Sequence, residues 1–190
     1  MIVFTTIDMS PIELRQFLRQ AAMRYGLLLA AYLILHMLVT VAGFNSVLWS
    51  VLSFFMLLSV PFVLFFFWVM VRKQIDNARI AFGPIFVFAY YTVFFASLLF
   101  TLVQWVYVSY IDANMIATMT SRAVETLTKL HELNPAAGYD TYIAAMQEQP
   151  LTASNMAFSS MWMLVVVGFV WALLVAAVAS LFENLKKINN

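Results

Sequence analysis

The chain reads as an all-α, polytopic membrane protein. The expected fold is a four-transmembrane-helix bundle with an N-terminal amphipathic helix and an extracytoplasmic helical hairpin between spans three and four. Three observations predict this. Of its 190 residues, 64% are apolar and 10% charged, with a mean hydropathy of +0.91, against about 45–50% and about 25% in a soluble domain. Four long stretches, about 26–44, 47–71, 84–111 and 156–182, contain no Asp, Glu, Lys or Arg. The basic residues fall predominantly on one side of these stretches.

The first element begins at Ser10-Pro11-Ile12-Glu13, which has the form of a helix start: Ser10 caps, Pro11 suits the first helical position and Glu13 completes a capping box. Leu14, Phe17, Leu18, Ala21 and Tyr25 follow at helical spacing, with Glu13, Arg15, Gln16, Arg19 and Gln20 around the rest of the helix. Such a segment suits the inner leaflet surface, or it extends the first span into the cytoplasm. The acidic, amphipathic start does not read as a cleavable signal peptide.

A helix rises about 1.5 Å per residue and the hydrocarbon layer is about 30 Å thick, so about 20 apolar residues make a span. Each of the four stretches is near or beyond that length. Gly43-Phe44-Asn45-Ser46 leaves room only for a tight turn between the first two, and Pro61 predicts a kink in the second.

Direction follows from charge. Arg15, Arg19, Arg24, Arg72, Lys73, Arg79, Lys186 and Lys187 lie on one side, and only Arg122 and Lys129 on the other. This positive-inside bias predicts cytoplasmic termini. Trp49, Trp105, Tyr107, Tyr110 and Trp162 near the outer ends, with Tyr25 and Trp68 near the inner ones, suit the headgroup levels.

The segment 112–155 is then an extracytoplasmic insert within a single membrane domain covering 1–190. Met115, Met119, Ala123, Leu127 and Leu130 recur at helical spacing, and Glu125–Lys129 is a favourable i,i+4 pair. Asn134-Pro135-Ala136-Ala137-Gly138 stops that helix, Asp140 to Gln149 begins another, and Gln149-Pro150 starts the return to the fourth span.

Lipid gives helices no hydrophobic reason to associate, so close approach at small residues matters. Gly168, Ala172, Ala176 and Ser180 repeat at i+4 on the fourth span, as do Ala22, Gly26 and Ala30 at the start of the first. Both series are expected packing faces, within the bundle or across a dimer.

Chemistry is sparse. The chain has no cysteine, which excludes disulfides, thiolate metal sites and thiol catalysis. No Walker loop, nucleotide-binding glycine motif, HExxH or GxSxG pattern occurs. His36 is the only ionisable side chain, tyrosines apart, deep within a span, and such residues are either functional or bonded to a neighbouring helix. Ser97, Thr101 and Gln104 share one side of the third span and either line a polar crevice or bond across helices. His131 has no partner at metal-ligand spacing, and the acidic residues of the insert read as a solvated face.

Phe82-Gly83 opens the third span, with Tyr107 and Tyr110-Ile111-Asp112 at its end, and an amphipathic insert precedes the fourth. In these features the chain resembles a bacterial family of four-helix membrane proteins, the domain of unknown function forty-one ninety-nine. The resemblance implies four spans in a bacterial inner membrane and carries no catalytic residues.

The expected role is that of a non-catalytic inner-membrane protein, a subunit or scaffold of a membrane complex, with self-association as its simplest form. The alternative is a small carrier or channel for a small or lipidic substrate. No enzyme activity, cofactor, metal or nucleic-acid partner is expected. The expected partners are membrane lipids and another membrane protein or a second copy of the chain.

Overall fold

A computed structural model of the chain describes residues 10–43, 46–75, 80–148 and 151–188. The two central residues of the first turn, and the Gln149-Pro150 return, lie outside them. Among the described residues the regular elements are all helical: α1 Pro11–Gly43, α2 Val47–Arg72, α3 Phe82–Val106, α4 Met115–Leu133, α5 Tyr139–Glu148 and α6 Ala153–Ile188. A π-helical turn at Tyr107–Ile111 extends α3, and a 3₁₀ turn at Pro135–Ala137 separates α4 from α5. Among the described residues four helical segments are long and apolar enough to cross a membrane: Pro11–Gly43, Val47–Arg72, Phe82–Ile111 and Ala153–Glu183. The chain is a multi-pass membrane protein with a helical bundle.

The capping box at the start of α1 forms as the sequence predicts. The Ser10 amide donates to Glu13 Oε2 at 2.8 Å and the Glu13 amide to Ser10 Oγ at 3.4 Å. From there the helix runs unbroken for 33 residues, about 50 Å at 1.5 Å per residue and well beyond one hydrocarbon thickness. The segment expected as an interfacial helix is therefore the opening turns of α1 itself. Its apolar residues Leu18, Ala21 and Ala22 are buried within the protein, while Arg15, Gln16, Arg19 and Gln20 are exposed. No proline or paired glycine interrupts the stretch, so the helix continues.

Packing divides the described residues into two compact units. The first comprises the residues up to Phe100 together with those from Met161 onward, and it holds α1, α2, most of α3 and most of α6. Ring contacts and close approaches join these four helices: Tyr25 with Phe67, Trp68 with Phe88, Phe65 with Phe182, and Phe86 and Tyr90 with Phe169. The outer faces are apolar; Val47, Phe54, Phe62, Val166 and Leu181 are all exposed, as lipid-facing positions are.

The second unit, Thr101–Ser160, contains the end of α3, its π-helical turn, α4, α5 and the start of α6. The Asp112 amide reaches back to the Tyr107 carbonyl at 2.9 Å, the i−5 bond of a π turn. α4 and α5 pack against one another around Gly138, whose φ of 69° is the left-handed helix-ending conformation that glycine adopts without steric cost. The Trp105 indole donates to Ser154 Oγ at 3.3 Å, and Met115 and Ala157 are buried.

Candidate functional site

The polar side chains of α1 and α2 meet along one seam. Serines recur on the facing side of α2, at 50, 53 and 59, and α1 answers with Tyr32, His36, Thr40 and Gly43 at steps of three or four. Ser50 Oγ donates to the Gly43 carbonyl at 2.9 Å. Ser53 Oγ lies 2.6 Å from Thr40 Oγ1 and 3.0 Å from His36 Nε2, and Thr40 Oγ1 donates to the His36 carbonyl at 2.9 Å. Further along, Tyr32 and Ser59 both reach the Met56 carbonyl, at 2.9 Å and 2.7 Å, with their hydroxyl oxygens 2.5 Å apart. These bonds sit next to Pro61 of α2, which lacks the N–H that would bond the Leu57 carbonyl. In an apolar solvent each polar group that finds a partner avoids a desolvation cost of several kcal/mol, so the seam ties α1 to α2.

His36 thus takes its partner from α2. Ser97 is buried, and its hydroxyl donates to the Phe94 carbonyl of its own helix at 2.8 Å. Thr101 and Gln104 belong to the second unit, where Thr101 Oγ1 and Gln104 Oε1 are buried without a hydrogen-bond partner. His131 Nδ1 on α4 is likewise buried and unpartnered. Among the described residues no group of three or more His, Asp or Glu stands close enough to hold a metal.

The small-residue series occupy buried positions. Ala22, Gly26 and Ala30 are buried on α1, and Gly168, Ala172 and Ala176 on α6, with Ser180 half-buried at the end of the row. Both glycines abut the same level of α3. A Cβ on Gly26 would stand 2.9 Å from Phe95 Cβ and 3.1 Å from the Thr92 carbonyl oxygen, and one on Gly168 would overlap Val93. Between them α3 buries its own narrow face, Ala89, Thr92, Val93, Ala96 and Ser97. The small residues at i, i+3, i+4, i+7 and i+8 signal this face in the sequence, although the longer small-residue row on α6 is more conspicuous.

One charged contact also escaped the sequence reading. Arg72 Nε and Nη2 donate to Glu183 Oε1 and Oε2 at 2.5 and 3.1 Å, and both side chains are about one-fifth exposed (22% and 20%). In the sequence Arg72 stands out only as one of the topology-setting charges. The available signal was positional: each is the first charged residue after its apolar stretch, and both lie where the spans emerge.

Neither a curated protein nor a solved structure matches the chain. The family model described as protein of unknown function DUF4199 matches residues 24–180, a range that takes in α1 from Arg24, the whole seam, the second unit and α6 to Ser180. The chain therefore belongs to the DUF4199 family of proteins of unknown function.

Proposed function

We propose that the protein is a non-catalytic subunit or scaffold of a bacterial inner-membrane complex, with both termini in the cytoplasm, the 112–155 insert outside, and self-association as its simplest form. One observation carries the reading: the hydroxyls and imidazole of the first two spans are spent on each other, Tyr32 with Ser59 and His36 with Ser53 and Thr40. Hydroxyls committed to holding helices together are not poised for nucleophilic work. The exposed aromatic and aliphatic side chains of α2, among them Phe54, Phe55, Phe62 and Phe66, are suited to lipid and to neighbouring spans. Purification in mild detergent with size determination tests the reading: stoichiometric co-purification of a membrane partner, or a stable homo-oligomer, is expected. A consistently monomeric, partner-free protein would sink it.

A second reading has its own support. Thr101 Oγ1 and Gln104 Oε1, three residues apart on one helix, are buried and unpartnered, the condition of groups that await a polar solute in a small carrier or channel. Flux into liposomes that disappears in Gln104→Leu favours this reading over the first. Absence of flux in the unsubstituted protein removes it.

A further inference from the structure

The seam between α1 and α2 determines where the hydrogen of the His36 ring lies. A carbonyl oxygen only accepts, so the 2.9 Å bond from Thr40 Oγ1 to the His36 carbonyl uses the single hydroxyl hydrogen of Thr40. The Thr40 and Ser53 hydroxyl oxygens are 2.6 Å apart, and the arrangement that makes every one of these contacts a hydrogen bond has Ser53 donate to Thr40. Ser53 has no second hydrogen to give. Its oxygen meets His36 Nε2 at 3.0 Å as an acceptor, and the ring nitrogen must donate.

We infer that Ser53 and Thr40 hold His36 as its Nε2–H tautomer, leaving the Nδ1 lone pair as a proton-accepting site within the membrane. What that site takes up is a proton. Uptake of a proton at Nδ1 turns around none of the three seam bonds, because Nε2 donates in both states. α1 therefore stays tied to α2 whether the ring is neutral or charged. The surrounding spans bring no ionised side chain: residues 47–71 of α2, 84–100 of α3 and 161–182 of α6 lack Asp, Glu, Lys and Arg. The other titratable groups on these segments and on α1 from Tyr25 onward are the phenols of Tyr25, Tyr32, Tyr90 and Tyr91. Ser53 and Thr40 are positioning residues, and the atom they leave available is Nδ1.

The test is nitrogen-15 NMR of the full-length protein, histidine-labelled and held in lipid nanodiscs. The chain has two histidines, so comparison with His131→Gln identifies the His36 ring. At a pH where the ring is neutral, the directly bonded hydrogen is expected on Nε2; on acidification a second appears on Nδ1 while the Nε2 signal persists. Thr40→Val keeps the side-chain shape but releases the Ser53 hydrogen, which is then free to turn toward the ring. The population of the Nδ1–H tautomer should rise several-fold, although Thr40 touches only the backbone of His36. A neutral ring with its hydrogen on Nδ1 in the unsubstituted protein overturns the inference, and so does a tautomer ratio that Thr40→Val leaves unmoved. Should Thr40→Val not fold, the unsubstituted protein's spectrum decides by itself.

Discussion

Gly168 of α6 rests against Val93 of α3 with no room for a methyl group between them: a Cβ at Gly168 would overlap Val93 Cγ1 and stand 3.1 Å from Val93 Cβ. On the other side of α3, Gly26 of α1 meets Phe95 and the Thr92 carbonyl. The third span is thus gripped at one level by two glycines from different helices. In lipid such backbone approach supplies much of the packing attraction.

Gly26→Ala and Gly168→Ala are accordingly expected to destabilise the bundle by about 1–3 kcal/mol each, the usual cost of overfilling a packed interior. Rotation relieves neither overlap: Gly26 faces a Cβ and a main-chain carbonyl, and Gly168 faces the Cβ and a γ-methyl of β-branched Val93. Gly83, where an added Cβ meets nothing within 4 Å, supplies the control. Thermal unfolding in detergent checks this: a melting temperature lowered in the first two variants and held in Gly83→Ala is the expected pattern.

Arg72 and Glu183 join the ends of α2 and α6 through two hydrogen bonds. Partial exposure places the pair between the surface and buried regimes, so a double-mutant cycle with Arg72→Leu and Glu183→Leu should give a coupling energy of about 1 kcal/mol. A coupling indistinguishable from zero would mean that the two ends are held by their apolar contacts alone.

The buried oxygens of Thr101 and Gln104 are unpartnered, and an unmet buried polar group costs about 1–3 kcal/mol. Under the subunit reading, Thr101→Val and Gln104→Leu therefore keep or raise the melting temperature. A fall in both would show that these atoms have partners supplied by solvent, ligand or another chain.

On α4 the Glu125–Lys129 pair, 2.7 Å apart, makes a pH-dependent contribution of known sign. The hydrogen bond from Lys129, and then its charge, hold the Glu125 carboxyl below its ordinary value of 4.5. The same bond and then the same charge raise Lys129 above its ordinary 10.5. The carboxylate's share is fully present above 4.5 and disappears as pH falls through the lowered value. The ammonium's share is fully present below 10.5 and disappears as pH rises through the raised one. Amide protection factors in α4 should thus be level between these limits and lower beyond each. High salt should shrink the effect, since the pair is exposed. Lys129→Gln should remove most of the acid-side decline, the charge of Arg122 accounting for what stays.

A chain without native cysteine allows direct testing of its orientation. A single cysteine at Leu130, partly exposed on α4, should react with a membrane-impermeant maleimide added outside spheroplasts. One at Lys73, exposed at the end of α2, should react only after the membrane is opened. The reverse pattern would refute the proposed topology.

Much of the architecture was legible before any coordinates because its causes are local. Span length follows from bilayer thickness, and the expected spans 47–71, 84–111 and 156–182 each lie within a long apolar helix whose ends differ by three residues or fewer, while residue 44 of the first lies outside the described residues. The exception is the start of the first, where the helix begins at Pro11. The capping box at Ser10 and Glu13, the Glu125–Lys129 pair and the stop at Asn134–Gly138 all depend on neighbours within a few residues, so spacing alone reveals them. What spacing could not reveal were the pairings between helices. His36 is turned toward Ser53 and not toward the Ser97 side of α3, Arg72 meets a glutamate 111 positions away, and the two glycine rows converge on one level of α3. Each depends on helix rotation about its axis and on which spans become neighbours. A uniformly apolar helix encodes these choices weakly, because lipid and protein interior are nearly equivalent solvents for its side chains. Only close packing and the need to satisfy a few polar groups decide among them.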